Sequence, residues 1–247
     1  LKIFLLLNGD NHPAVATSYS YIGQIYFAQN DYSKALDYFK KSLNLDLSFF
    51  GENHPSVASG YYNIGYVYFA QGDYSKALEY FEEVLKIRLS VYGENHSRVA
   101  SVYNDIGEIY SVQGDDFKAL DYFKKSLKIV LSVYGENHSQ VSSIYDHIGE
   151  IYFAQKDYSK ALYYFEESLK IRLSLFGENH PEVALSYYSI GSLYIIQGDK
   201  SKALNYYEKS LKIRLSVYGE NHPLTKEIMD LINVANSKVL QSPETTK

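Results

Sequence analysis

The sequence predicts an all-α protein, an α–α superhelical solenoid of tandem helix–turn–helix repeats. Three observations carry this expectation. The string Gly-Asp/Glu-Asn-His begins at Gly9, Gly51, Gly93, Gly135, Gly177 and Gly219, each step being 42 residues. Residues 51–92 and 177–218 differ at 13 positions and so share 29 of 42, which makes the period a repeat of the whole unit rather than of one turn. Turn and cap residues then divide each copy into two helical stretches. A fixed period of this size marks units that cannot bury an apolar face alone and must stack on their neighbours.

The elements follow in chain order. Residues 1–8, LKIFLLLN, align in register with 85–92 and read as the end of a second helix from an earlier repeat, so the chain is expected to be part of a longer one. A secretory signal competes for this apolar start, but the register match accounts for the residues and no cleavage site follows. The repeats are then 9–50, 51–92, 93–134, 135–176 and 177–218. In the second, 55–71 opens on Pro55, which suits a first helical position, and Val57, Tyr61, Ile64, Gly65 and Tyr68 follow helical spacing. Ser97 and Ser139 replace that proline in two copies and offer a hydroxyl as cap. Gly72 suits the left-handed residue after a helix, and Asp73 caps the next helix. That helix, 74–92, aligns Ala77, Leu78, Phe81, Leu85 and Leu89 on one side. Residues 219–240 form a more polar capping helix, with Lys226, Glu227, Asp230 and Lys238 and with Asn233 in the glycine's place; 241–247 is a tail.

Composition narrows the function. Among 247 residues, 24 Lys+Arg against 29 Asp+Glu give a net charge of −5, which argues against a general nucleic-acid binder. The 46% apolar content is too high for disorder and too interrupted by charge for a membrane span. With no cysteine, disulfides, thiol catalysis and cysteine-ligated zinc are excluded, and a reducing, cytoplasmic setting fits.

The run Tyr61…Ile64-Gly65…Tyr68…Ala77…Phe81 resembles the tetratricopeptide signature, and the period with its Gly-x-x-His-Pro-x-Val-Ala opening is similar to the kinesin light-chain variety. The resemblance covers 9–218. It implies a groove lined by the first helix of each repeat, and a protein or peptide partner. In that family, groove asparagines hold peptide backbone, a role that carries over to Asn63 and Asn104. The family's basic groove residues have no match on the first helices here, which argues against an acidic cargo.

Comparison of the copies separates scaffold from free positions. The tyrosine four before the first-helix glycine (Tyr19, Tyr61, Tyr103, Tyr145, Tyr187) and the alanine of the second helix (Ala35, Ala77, Ala119, Ala161, Ala203) never change, as stacked helices require. Around them Tyr62, Asn63, Tyr66, Phe69, Asn104, Asp105, Glu108, Asp146, His147, Glu150, Phe153 and Tyr188 vary and fall largely on one helical stripe. These are the candidate partner-binding residues. Arg98 is the sole Lys or Arg on the five first-helix segments, against Asp105, Glu108, Asp146, Glu150 and Glu182. Lys40, Lys86, Arg88, Lys128, Arg172 and Arg214 are expected to face outward from the second helices. Like-charge pairs at Asp105/Glu108 and Asp146/Glu150 would each cost an isolated helix roughly 0.2–0.5 kcal/mol, so a basic or aromatic-basic ligand is expected, with an ordinary solvated face as the competing reading.

No catalytic constellation emerges. The six repeat histidines occupy equivalent loops, on the order of 15–20 Å apart from helix packing distances of roughly 8–10 Å, too far to share a metal. Phosphate-loop, zinc-protease and serine-nucleophile motifs are missing. His147, beside Asp146 and Glu150, is the one histidine placed to act as a pH-sensitive groove residue. The expectation is a non-catalytic interaction scaffold without cofactor or metal, with a protein partner, no nucleic acid and no membrane, and a monomer for which self-stacking stays open. A regulatory module of a larger signalling enzyme or nucleotide-binding protein is the alternative.

Overall fold

The computed structural model describes residues 12–237. The expectations for 1–8, for the end of the capping helix at 238–240 and for the 241–247 tail lie outside them. Eleven α-helices and no strand occur among the described residues, and the chain divides into two compact units, through Val133 and from Tyr134. The first unit holds α1 (Pro13–Ala28), α2 (Tyr32–Phe50), α3 (Pro55–Ala70), α4 (Tyr74–Tyr92), α5 (Ser97–Val112) and all but the last residue of α6 (Asp116–Tyr134). The second holds α7 (Ser139–Ala154), α8 (Tyr158–Phe176), α9 (Pro181–Ile196), α10 (Lys200–Tyr218) and α11 (Pro223–Ser237).

Each odd-numbered helix begins at a histidine. The Nδ1 of His12, His54, His96, His138, His180 and His222 accepts the backbone N–H two residues on, at 3.1–3.2 Å. This satisfies one of the donors that a helix start leaves open. The serine cap expected at Ser97 and Ser139 is therefore corrected: both occupy the first helical position, and the imidazole before them caps. The ring is held for this by stacking on the aromatic residue ending the previous helix, as in Phe50–His54 and Tyr134–His138, both at 4.1 Å between centroids.

The even-numbered helices begin at aspartates. Asp31, Asp73, Asp115, Asp157 and Asp199 accept from the backbone N–H of Lys34, Lys76, Lys118, Lys160 and Lys202. The same lysines return their ammonium groups to those carboxylates and lie over Tyr26, Tyr68, Tyr110, Tyr152 and Tyr194. Much of the tyrosine content thus serves the scaffold. The residue before each aspartate is left-handed: Gly72, Gly114 and Gly198 at φ 78°, 77° and 82°, but Asn30 and Lys156 at 59° and 62°.

Within a pair the helices touch at a glycine. A β-carbon on Gly107 would stand 2.8 Å from the ring of Phe123, and one on Gly149 2.7 Å from Phe165. Also within pairs, Ser42, Ser126 and Ser210 of the second helix donate to the carbonyls of Ala16, Ala100 and Ala184 on the first at 2.7–2.8 Å. Val57, Ile64, Phe81, Ile106 and Ile109 fill the core of the first unit, and Phe165, Val183, Ile190, Leu193 and Ile213 that of the second.

Two substitutions test these constraints. Gly107→Ala drives a methyl into the fully buried Phe123 and should lower stability by about 1–3 kcal/mol in urea unfolding; an unchanged midpoint would remove the close approach as a constraint. Lys156→Gly relieves a left-handed lysine and should raise stability by about 1 kcal/mol.

Candidate functional site

The charge pattern of the helices differs from the expectation at three arginines. Lys40, Lys86 and Lys128 are exposed, but Arg172 and Arg214 are buried and Arg88 is half-buried. Each of the three reaches from a second helix into the seam between the first helices on either side. Arg172 pairs with Asp146 at 2.7 Å and Glu182 at 2.9 Å and donates to Ser186 Oγ at 2.8 Å. Arg88 lies over the Tyr62 ring and donates to the Arg98 carbonyl at 2.7 Å and Ser101 Oγ at 2.9 Å. Arg214 lies over Tyr188 and donates to the Leu224 carbonyl at 2.6 Å. A planar guanidinium on a long stem can satisfy several acceptors at once, which an ammonium pointing outward does not do.

This corrects the reading of Asp146. Its charge is answered inside the chain by Arg172, so it is not half of a bare like-charge pair with Glu150. His147 is half-buried, with Nδ1 4.0 Å from Glu150 Oε2. Burial pushes its pKa down, against the pull of Glu150. Phe153 packs edge-on against Tyr158, and the Tyr188 hydroxyl donates to Glu227 at 3.0 Å. In the second unit the predicted residues are thus largely engaged with the scaffold.

The first unit gathers the predicted residues differently. Tyr62, Asn63, Tyr66, Asp105 and Glu108 line one cavity of about 280 Å³, together with Gln24, Phe27 and Phe39. Tyr66 is 43% exposed and its ring meets Phe27, Tyr62 and Phe69 at 5.7–6.2 Å. Gln24 and Phe27 belong to the variable stripe, but nothing in the spacing singled them out as wall residues. The two asparagines are occupied: Asn63 donates to Ser20 Oγ at 3.3 Å and Asn104 to Glu108 Oε1 at 2.6 Å.

Asp105 is the exceptional group here. Its Oδ2 is buried without a hydrogen-bond partner. Burial first, and then the charge of Glu108, push its pKa up to about 7, while the Tyr62 hydroxyl and Arg88 pull it down. Glu108 is raised as well, by burial, and burial pushes the Tyr62 hydroxyl up. On α6 the buried Val130 stands at the repeat position where α8 carries Arg172. Among the described residues no group of three or more His, Asp or Glu could hold a metal ion, and no helix is long and apolar enough to cross a membrane.

The tetratricopeptide repeat model matches residues 1–48, 45–90, 56–132, 98–174 and 140–216, nearly the whole chain. The chain belongs to the tetratricopeptide repeat family. Solved structures share the fold of these tetratricopeptide repeats. BtubC (BKLC) from P. vanneervenii is 23% identical, with a TM-score of 0.76 over 90% of this chain and 88% of that one. A Podosopora anserina putative kinesin light chain with nearly identical TPR-like repeats is 17% identical, with a TM-score of 0.70 over 84% and 98%. A Rap protein complexed with Competence and Sporulation Factor is 18% identical, with a TM-score of 0.63 over 88% of this chain and 64% of that one. No curated protein matches the sequence.

Asp105 gives the site a pH signature. An acid whose folded pKa is raised from 3.8 to about 7 holds its proton longer in the folded state. Its contribution to stability is complete below the unfolded value and is lost as pH rises through 7. Asp105→Asn should therefore unfold at nearly the same urea concentration as the parent at pH 4 and at a higher one at pH 8. A gap independent of pH would mean that Asp105 is ionised and solvated throughout.

Proposed function

We propose that these tetratricopeptide repeats form a non-catalytic scaffold for protein–protein interaction. In this reading the face built by α1, α3 and α5 binds an extended or helical partner segment bearing a basic side chain. The observation that carries the reading is the Asp105 carboxylate, held with an unpartnered buried oxygen against Glu108 in a cavity walled by Tyr62, Tyr66 and Phe27. A cation there would be stabilised by the carboxylates and by the aromatic faces together. The same group would return Asp105 to its ionised form, which its present surroundings disfavour.

The neighbours support a partner-binding role at the level of the fold. The Rap protein was solved with a bound factor, so a fold of this class accommodates one. Asp146, His147, Glu150, Phe153 and Tyr188 take a lesser part in this reading. Arg172 already answers Asp146, and Glu227 holds Tyr188. The cysteine-free composition suits partners in a reducing compartment such as the cytoplasm.

Fluorescence polarisation with matched peptides, one set carrying Arg and Lys and one carrying Asp and Glu around a shared aromatic, checks the sign of the recognition. The basic set should bind, weaken with salt, and lose at least about tenfold with Asp105→Lys/Glu108→Lys while circular dichroism stays helical. Preference for the acidic set would overturn the proposal.

A further inference from the structure

The seam that receives Arg88, Arg172 and Arg214 has a counterpart between α1, α2 and α3, and there the corresponding residue is Asp46. Instead of a guanidinium, the structure shows a cavity of about 290 Å³. Its walls include Ser20, Asp46, Ser56, Ser59, Gly60 and Asn63. The repeat register explains this set. Ser20 corresponds to Tyr62 and Asp146, which face Arg88 and Arg172. Ser56 corresponds to Arg98, whose carbonyl accepts from Arg88, and to Glu182, which pairs with Arg172. Ser59 and Gly60 correspond to Ser101 and Ser186, whose hydroxyls accept from those arginines. The space is an arginine's space, lined by the partners an arginine uses.

Asp46 reverses the charge of that space. It is 9% exposed and has no hydrogen bond or ion pair among the described residues. Burial pushes its pKa up, as expected for a carboxylate removed from water without a partner. His54 is the titratable group whose charge opposes that shift. Its Nδ1 is committed to the backbone of Ser56 and its ring to Phe50, and no ion pair joins it to Asp46. Thr17, Phe50 and Ser59 are exposed at the mouth, so a side chain can enter from outside.

We infer that this cavity is a guanidinium-binding pocket, in which Asp46 and the hydroxyl and carbonyl groups of α1 and α3 receive an arginine side chain from a partner protein. The arginine enters where the chain elsewhere places its own, and Asp46 adds the counter-charge that Arg172 finds in Asp146 and Glu182 and that Arg214 finds in Glu227. The pocket shares Phe39 and Asn63 with the Asp105 cavity, so one bound segment could present a basic group to each. The identity of the arginine as a partner's side chain rests on the scaffold reading; the pocket's preference for guanidinium does not.

The test uses N-acetyl-arginine amide as probe, with N-acetyl-citrulline amide as its uncharged equivalent, followed by backbone NMR of the whole chain. Saturable shifts centred on Ser56, Ser59 and Asn63 are expected with the arginine compound and not with the citrulline compound. Asp46→Asn should weaken the arginine compound at least tenfold. Asp46→Arg should fill the pocket from within, abolish the shifts and raise the thermal midpoint. Equal response to citrulline, or undiminished binding by Asp46→Asn, overturns the inference, and that comparison decides whatever Asp46→Arg does. Asp105→Asn/Glu108→Gln separates the two readings: it should leave the arginine compound bound even where basic peptides are lost.

Discussion

The close approach of a first-helix glycine to a second-helix aromatic ring sets the geometry on which the other contacts depend. Gly107 against Phe123 and Gly149 against Phe165 leave no room for a β-carbon, so the two helices of a pair cannot slide or rotate without opening a gap. Tight packing of this kind transmits position. Once the pair is fixed, the serines of the second helix meet carbonyls on the first, the histidine cap meets the ring ahead of it, and the same repeat position meets the same surroundings each time. That sameness gives departures their meaning.

The histidine motif shows how far such a constraint extends. Neutral Nδ1 is an acceptor and can serve where serine or aspartate usually caps. It also supplies a flat ring, which serine cannot, and the ring binds the end of the preceding helix. Cap and inter-repeat joint are therefore one residue. The second helix uses a different economy: an aspartate caps, and the lysine it receives from covers a tyrosine.

Period, punctuation and the invariant tyrosines made the helices and their pairing legible from the residues alone, because each is a local pattern with a local cause. Helix starts at His12, His54 and His180 are followed by proline, and the glycines before the aspartates supply left-handed turns. The site was less legible for a definite physical reason. Sequence gives the sign of a side chain's charge but not the path of its stem, so arginine and lysine were grouped together. Arg172 runs inward and answers Asp146, whereas Lys170, two residues earlier, stays at the surface beside Glu167. Asp105 and Asp146 sit one repeat position apart on their respective helices and fare differently: one is partnered, one carries a bare oxygen.

In the reading proposed above, where the first helices present the binding face, that difference makes the second helices the source of specificity. Along the seam position the residues run Asp46, Arg88, Val130, Arg172, Arg214. Where Arg172 stands, Asp146, Glu182 and Ser186 are answered from within the chain. Aspartate there leaves a nearly buried carboxylate without an internal donor. Burying an unpaired polar group costs free energy unless something pairs with it. The departure at Asp46 falls in the first unit beside a cavity, and its carboxylate has no hydrogen bond among the described residues. A chain that differs from its own repeat at a buried position, in the direction that removes a donor, gives up stability there. A partner that brings the donor restores it, so recognition by such a surface favours ligands carrying the very group that the other repeats supply for themselves.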